Sequence, residues 1–229
     1  MDFIPFETAI GYAFREKRLI ESAFTHRSYI NENRTPGREH NERLEFLGDA
    51  VLELVVTEFL YAMYPNKTEG DLTAYRAALV NTVSISDAAT KLGMNEYLLL
   101  SRGEARDTGR ARGIILANAF EAMIGALYLD GGYDAAKEFI GTNLFHKVHA
   151  VVEHRLWQDA KSRLQELAQE KVGATPAYEI INQSGPDHNK TFVVAVMVSG
   201  KRMGVGEGRS KQDAEQSAAA KALEASGWN

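Results

Sequence analysis

The sequence predicts an all-helical domain followed by a small α+β domain in the order α-β-β-β-α. Three observations carry this expectation. Up to residue 156, apolar residues recur at spacings of three and four, as in "LVNTVSISDAATKLGM" and "ILANAFEAMIGALYLDGGYDAAKEFI". From residue 157 the texture changes to "TPAYEIINQSG", "KTFVVAVMVSG" and "KRMGVGEG", which are rich in β-branched and aromatic residues and separated by turn formers. Helical segments, "DAKSRLQELAQEK" and the alanine-rich "SKQDAEQSAAAKALEAS", flank these three strands. The expected domains are therefore 1–156 and 157–229.

In the first domain, glycine and proline punctuate the helices at "NRTPGREH", "YPNKTEG" and "LDGG". "TEGDL" reads as a helix start, with Glu69 in the first turn where the macrodipole favours an acid. In the second domain, Ala214, Ala218, Ala222 and Ala225 line one side of the last helix, and Ser210 with Asp213 forms a capping-box pattern at its start. No repeat, low-complexity tract or Pro/Ser-rich linker interrupts the chain.

Composition bounds the function. The 229 residues are 45% hydrophobic and 25% charged, enough for a sizeable core plus a small second domain. No run of eighteen apolar residues occurs and no basic segment precedes an apolar one at the start, so no membrane span or secretory signal is expected. The absence of cysteine excludes disulfides, thiolate metal sites and thiol nucleophiles, and it fits a cytoplasmic location. The net charge of −5 does not announce a nucleic-acid binder, and residues 157–229 carry nine Lys or Arg against nine Asp or Glu. Attraction to nucleic acid would have to come from local patches.

"NERLEFLGDAVLEL", from Asn41 to Leu54, holds Glu42, Glu45, Asp49 and Glu53. On a helical wheel these acids fall within an arc of about 80°, while Leu44, Leu47, Val51 and Leu54 fall on the opposite side. Like charges at these spacings destabilise a helix. A solvated acidic face with basic neighbours is one resolution. The other is a hard divalent cation, since Mg²⁺ takes carboxylate oxygens, water and phosphate. In "ILANAFEAMIGALYLD", Asn118 and Glu121 form a polar pair at i,i+3 on a helix whose far side is Leu116, Phe120, Met123 and Leu127. That pair is either hydrogen-bonded within the core or faces the first helix, pooling Glu45, Asp49, Asn118 and Glu121 around metal.

On these residues the chain resembles the bacterial ribonuclease III family. "NERLEFLGDAVLEL" is similar to that family's signature helix, and "FTHRSY" (Phe24 to Tyr29) and "ILANAFEAMIGALYLD" match its other segments in order and spacing. The tail resembles a double-stranded RNA-binding domain. The resemblance implies an all-α endonuclease domain, 1–156, then a small α+β double-stranded RNA-binding domain, 157–229. It places Glu45, Asp49 and Glu121 at the divalent-metal ligands, with Asp49 and Glu121 closest to catalysis. Glu42 and Glu69 fall on assisting acidic positions in the cleavage cleft. Phe46, on the flank of the wheel, matches an aromatic that inserts into the partner subunit of a homodimer; an ordinary core phenylalanine is the alternative. Asn118 departs from the usual Asp. It still offers a carbonyl oxygen to metal but no charge, so it is a variant that supports the metal, an inactivating replacement, or the mark of a protein that only binds.

The implied reaction is hydrolysis of double-stranded RNA assisted by Mg²⁺, with Mn²⁺ as a substitute. Family products carry 5′-phosphates and short 3′ overhangs, and the family serves rRNA and mRNA processing. The resemblance assigns minor-groove contacts to Ser162, Gln165 and Gln169 and to the loop carrying His188. It assigns phosphate contacts to Arg209, Ser210 and Lys211, while Gln212 stands where a further Lys is usual. Such a domain reads duplex shape rather than sequence, since A-form RNA displays its 2′-hydroxyls in a shallow minor groove. No nucleotide cofactor is expected, because "GVGEGRSK" lacks the phosphate-loop spacing and its glycines suit turns and close backbone approach. The histidines show no zinc-type spacing. A catalytically impaired RNA-binding protein is the alternative function, and a small-molecule metal phosphohydrolase would leave the C-terminal domain without a task.

Overall fold

The computed structural model describes the chain except residues 34–35, 107, 154–159, 187–189 and 229. It forms two compact units, 1–157 and 158–229. The boundary expected at 156/157 falls in 154–159, outside the described residues.

The first unit contains α1 (Ile4–Ile10), α2 (Lys17–Ala23), α3 (Arg27–Glu32), α4 (Glu42–Met63), α5 (Glu69–Leu79), α6 (Thr82–Lys91), α7 (Arg102–Arg106), α8 (Arg110–Leu144) and α9 (Val148–Glu153). Its centre is the contact of α4 with α8. Two glycines make that contact close. A Cβ on Gly48 would lie 1.7 Å from the Glu121 carbonyl oxygen, and one on Gly125 would lie 2.2 Å from that of Leu44. An interior helical glycine costs about 0.5–1 kcal/mol relative to alanine; here each removes the side chain that would part the two backbones.

This contact rotates α4 from the orientation its leucines suggest. Leu44, Val51, Leu52, Val55 and Val56 are buried, whereas Leu54 is 57% exposed, contrary to its expected place on the buried side. The buried arc centres on Gly48 because the smallest residue permits the closest approach. Leu54 is left on the outer side with Phe46 and Tyr61. On α8, Leu116, Phe120, Met123 and Leu127 are all buried as expected.

The "LDGG" punctuation breaks α8 at Gly132, whose φ of 78° and ψ of −170° are not helical. Just before the break, buried Asp130 accepts from Tyr12 Oη at 2.8 Å and from the backbone N–H groups of Arg15 and Glu16 at 2.9 Å. These bonds tie the N-terminal segment to the core. The stretch Ala111–Glu153 is long and apolar enough to cross a bilayer by length and composition, but 67% of its most apolar window is buried inside the unit, which marks a core helix.

The second unit holds α10 (Ala160–Val172), β1 (Ala177–Ser184), β2 (Thr191–Val198), β3 (Lys201–Gly208) and α11 (Lys211–Ser226), in the expected order. The strands form an antiparallel sheet ordered β1-β2-β3. Val194 and Val196 of β2 pack with Leu164 against Ala214, Ala218, Ala219 and Ala222. The expected alanine stripe is thus shifted, with Ala219 buried and Ala225 exposed. Glycines of β3 serve close approach: a Cβ on Gly206 would sit 2.1 Å from the Ala218 nitrogen. Lys161 fastens α10 to α11 through Glu215 at 2.6 Å.

Candidate active site and RNA interface

The sequence places acids on both helices that meet at Gly48, and the contact brings them together. Asp49 follows Gly48 directly, and the Glu121 backbone lies against Gly48 itself. Burial pushes the Glu121 carboxyl up to about 7, and the charges of Asp49 and then Glu45 add to the rise. Burial also raises the Glu45 carboxyl, with Glu42 and Asp49 contributing, while a hydrogen bond from Asn118 opposes the shift. Glu45, Asp49, Asn118 and Glu121 therefore form one electrostatic group across α4 and α8.

Basic neighbours account for the other acids of α4. Glu53 pairs with Arg76 Nε at 2.7 Å. Glu42 lies 3.4 Å from Arg27 and 3.8 Å from His40 Nδ1. For Glu121 the acting charges are carboxylates alone. Among the described residues, no three His, Cys, Asp or Glu side chains are already gathered closely enough to hold a metal ion. The donor set is nonetheless all oxygen, three carboxylates and one amide, which suits Mg²⁺ or Mn²⁺ and disfavours softer ions.

Glu69 is not among the charges that act on Glu121 or Glu45. It is exposed in the first turn of α5, accepts from Thr73 Oγ1 at 3.1 Å and lies between Thr68 and Asp71 of the capping box. Phe46 is 82% exposed, so it is not a core residue. Beside it opens a cavity of about 600 Å³ whose apolar lining includes Leu19, Leu44, Leu47 and Leu129.

On α10, Ser162, Gln165 and Gln169 are exposed on one side while Leu164, Leu167 and Ala168 are buried on the other. Arg209, Ser210 and Lys211 are exposed at the start of α11. The Ser210 hydroxyl accepts from the Asp213 backbone N–H at 3.0 Å, so it caps the helix and keeps only its own O–H to offer a phosphate. His188 lies outside the described residues.

A Ribonuclease-III-like family model matches residues 16–148, and a double-stranded RNA binding motif matches 160–225. The chain is 47% identical over 223 residues to Ribonuclease 3 of Geobacillus thermodenitrificans, covering 97% of this chain and 90% of that protein. The chain belongs to the ribonuclease III family. Ribonuclease 3 of Bdellovibrio bacteriovorus is 45% identical over 219 residues, 95% of this chain and 93% of that one. A solved nuclease domain of ribonuclease III from Campylobacter jejuni is 39% identical, with a TM-score of 0.56 over 62% of this chain and 98% of that one. That structure is described as showing flexibility in a region involved in dimer formation. Ribonuclease III enzymes are double-strand-specific endoribonucleases, and this chain carries both the nuclease and the RNA-binding parts of one.

Two residues that shape this candidate site escaped the reading of charges and leucines. Gly48 and Gly125 set the distance between the acid-bearing helices. Their signal was present as isolated glycines inside apolar helical patterns, where a packing reason is expected.

Proposed function

We propose that the chain is a Mg²⁺-dependent endoribonuclease that acts as a homodimer on double-stranded RNA in the cytoplasm. It leaves 5′-phosphates and short 3′ overhangs and serves rRNA and mRNA processing. The observation that carries this reading is the carboxylate group on α4 and α8, joined in one chain to a double-stranded RNA binding motif. Lack of cysteine supports a reducing compartment.

Glu45, Asp49 and Glu121 would hold the cation, with the Asn118 carbonyl as a fourth oxygen. A divalent ion bound there supplies a water that is nucleophilic at neutral pH and offsets charge on the phosphate. The chain's own part is positional. The Gly48 contact sets the gap between Asp49 and Glu121, and the Asn118 amide orients Glu45. Glu121 must lose its proton before it can bind metal, so cleavage should rise with pH through about 7 and fall below it. The 5′ and 3′ ends are checked by mapping the products of a long duplex; flush ends or 5′-hydroxyls would contradict the proposal.

Phe46 and the adjacent cavity supply a projection and a socket on one face, the arrangement a two-fold interface needs. Phe46→Asp should convert a dimer to a monomer by sedimentation at micromolar concentration; an unchanged dimer would remove Phe46 from the interface.

One observation favours a second reading, binding without cleavage. Asn118 brings no charge to the group, and its amide is engaged with Glu45.

A further inference from the structure

Arg27 opens α3 within "FTHRSY", and its backbone is fixed on several sides. His26 Nδ1 accepts from the Ser28 backbone N–H at 3.3 Å and lies 2.8 Å from Ser28 Oγ. The same Oγ accepts from the Ser101 N–H at 3.0 Å. His26 N–H donates to the Leu99 carbonyl at 3.0 Å, and the Asn41 N–H donates to that of Thr25 at 2.9 Å. The peptide that carries Arg27 is thus bonded to the segment before α7 and to Asn41, the residue just before α4.

From this mount the Arg27 side chain, 66% exposed, reaches Glu42 at 3.4 Å. Glu42 acts in turn on Glu45, the first carboxylate of the candidate site. A long contact between two exposed groups contributes little to stability. It engages one of the guanidinium's five N–H donors and leaves a planar fork whose geometry matches phosphate. A polyanion approaching Glu45, Asp49 and Glu121 meets like charge, and Arg27 is the cation that Glu42 holds at the edge of that group.

We infer that Arg27 is a substrate contact, its guanidinium taking a backbone phosphate of the duplex near the carboxylates and leaving Glu42 as the RNA arrives. This rests on the double-stranded RNA reading above. A phosphate offers a bidentate acceptor where Glu42 gives one long contact of 3.4 Å. Arg27 would be a binding residue for the reaction; it donates no proton and holds no metal.

The test measures affinity of the full chain for a short RNA duplex against salt, in Mg²⁺ and in a Glu121→Gln background that prevents cutting. Arg27→Gln should weaken binding about tenfold at low salt and lower the slope of log K against log salt by about one, the signature of one lost phosphate contact. Arg27→Lys keeps the charge and should keep the slope. Thermal unfolding of each variant checks that the fold is intact. An unchanged slope in Arg27→Gln, beside normal duplex binding by the background protein, would overturn the contact and leave the RNA reading standing. A slope lowered equally in Arg27→Lys would also overturn it, because the effect would then come from altered structure. Failure of the background protein to bind duplex RNA at any salt would instead sink the RNA reading and this inference with it.

Discussion

Glu121→Gln is expected to lower the cleavage rate more than about 100-fold, beyond the 10–100-fold typical of residues one step removed from a metal, while making the metal-free protein more stable at pH 8. Both effects have one cause. In the native protein the Glu121 carboxyl is pushed up to about 7 by burial and by the Asp49 and Glu45 charges, from the 4.5 usual for a glutamate. Between those pH values the native state binds more protons than the unfolded chain, so stability falls as pH rises through the window. The amide cannot ionise and removes that penalty. After discounting for solvent screening, the gain at pH 8 is on the order of 1–2 kcal/mol. It should vanish near pH 4, where both states of the parent are protonated. Added Mg²⁺ should stabilise the parent more than the variant, and more at pH 8 than at pH 6, because the ion competes with the Glu121 proton. Thermal unfolding at several pH values, with and without Mg²⁺, reads all of this; a variant no more stable than the parent at pH 8 would refute the crowding of these carboxylates.

Gly48→Ala should destabilise the first unit by about 3 kcal/mol or more, the upper end for overpacking, although alanine is the better helix former by about 1 kcal/mol. The added methyl would stand 1.7 Å from the Glu121 carbonyl oxygen, a backbone atom that no side-chain rotation can move aside. The helices must separate, which widens the gap between Asp49 and Glu121 and should also lower cleavage among molecules that still fold. Gly70→Ala on α5 is the matched control. Its Cβ would meet only Thr68 Oγ1 at 3.8 Å, so it should be neutral or stabilising by a few tenths of a kcal/mol. Denaturant midpoints with an unchanged m-value separate the two. Equal midpoints for Gly48→Ala and the parent would show that α4 and α8 do not touch at this point.

Much of the fold was legible because its signals are local. Periodicity marked α4 and α8, turn residues separated β1 to β3, and Ser210 and the stretch "TEGDL" marked helix starts. The polar pair Asn118 and Glu121, set on an otherwise buried helix, pointed to the acids of α4, and the structure brings them into one group. What the residues left open depends on which helix packs where. Leu54 and Ala225 looked buried by spacing but are exposed; for Leu54 the reason is that Gly48 sets the rotation of α4. Glu69 sits on a different helix from the carboxylate group, and spacing along the chain carries no information about that separation. Phe46 stood between two readings on the wheel, and its 82% exposure decides against the core.

The most direct measurement is cleavage itself. Purified protein is incubated with long, perfectly paired RNA in Mg²⁺ and in excess chelator, beside Glu121→Ala and Asn118→Asp, and product lengths are read on a denaturing gel. Short products are expected from the unmodified protein in Mg²⁺, none in chelator, and none from Glu121→Ala. RNA that is retarded but left whole by the unmodified protein, with cutting restored by Asn118→Asp, would contradict this and make this chain a binder with a disabled metal site.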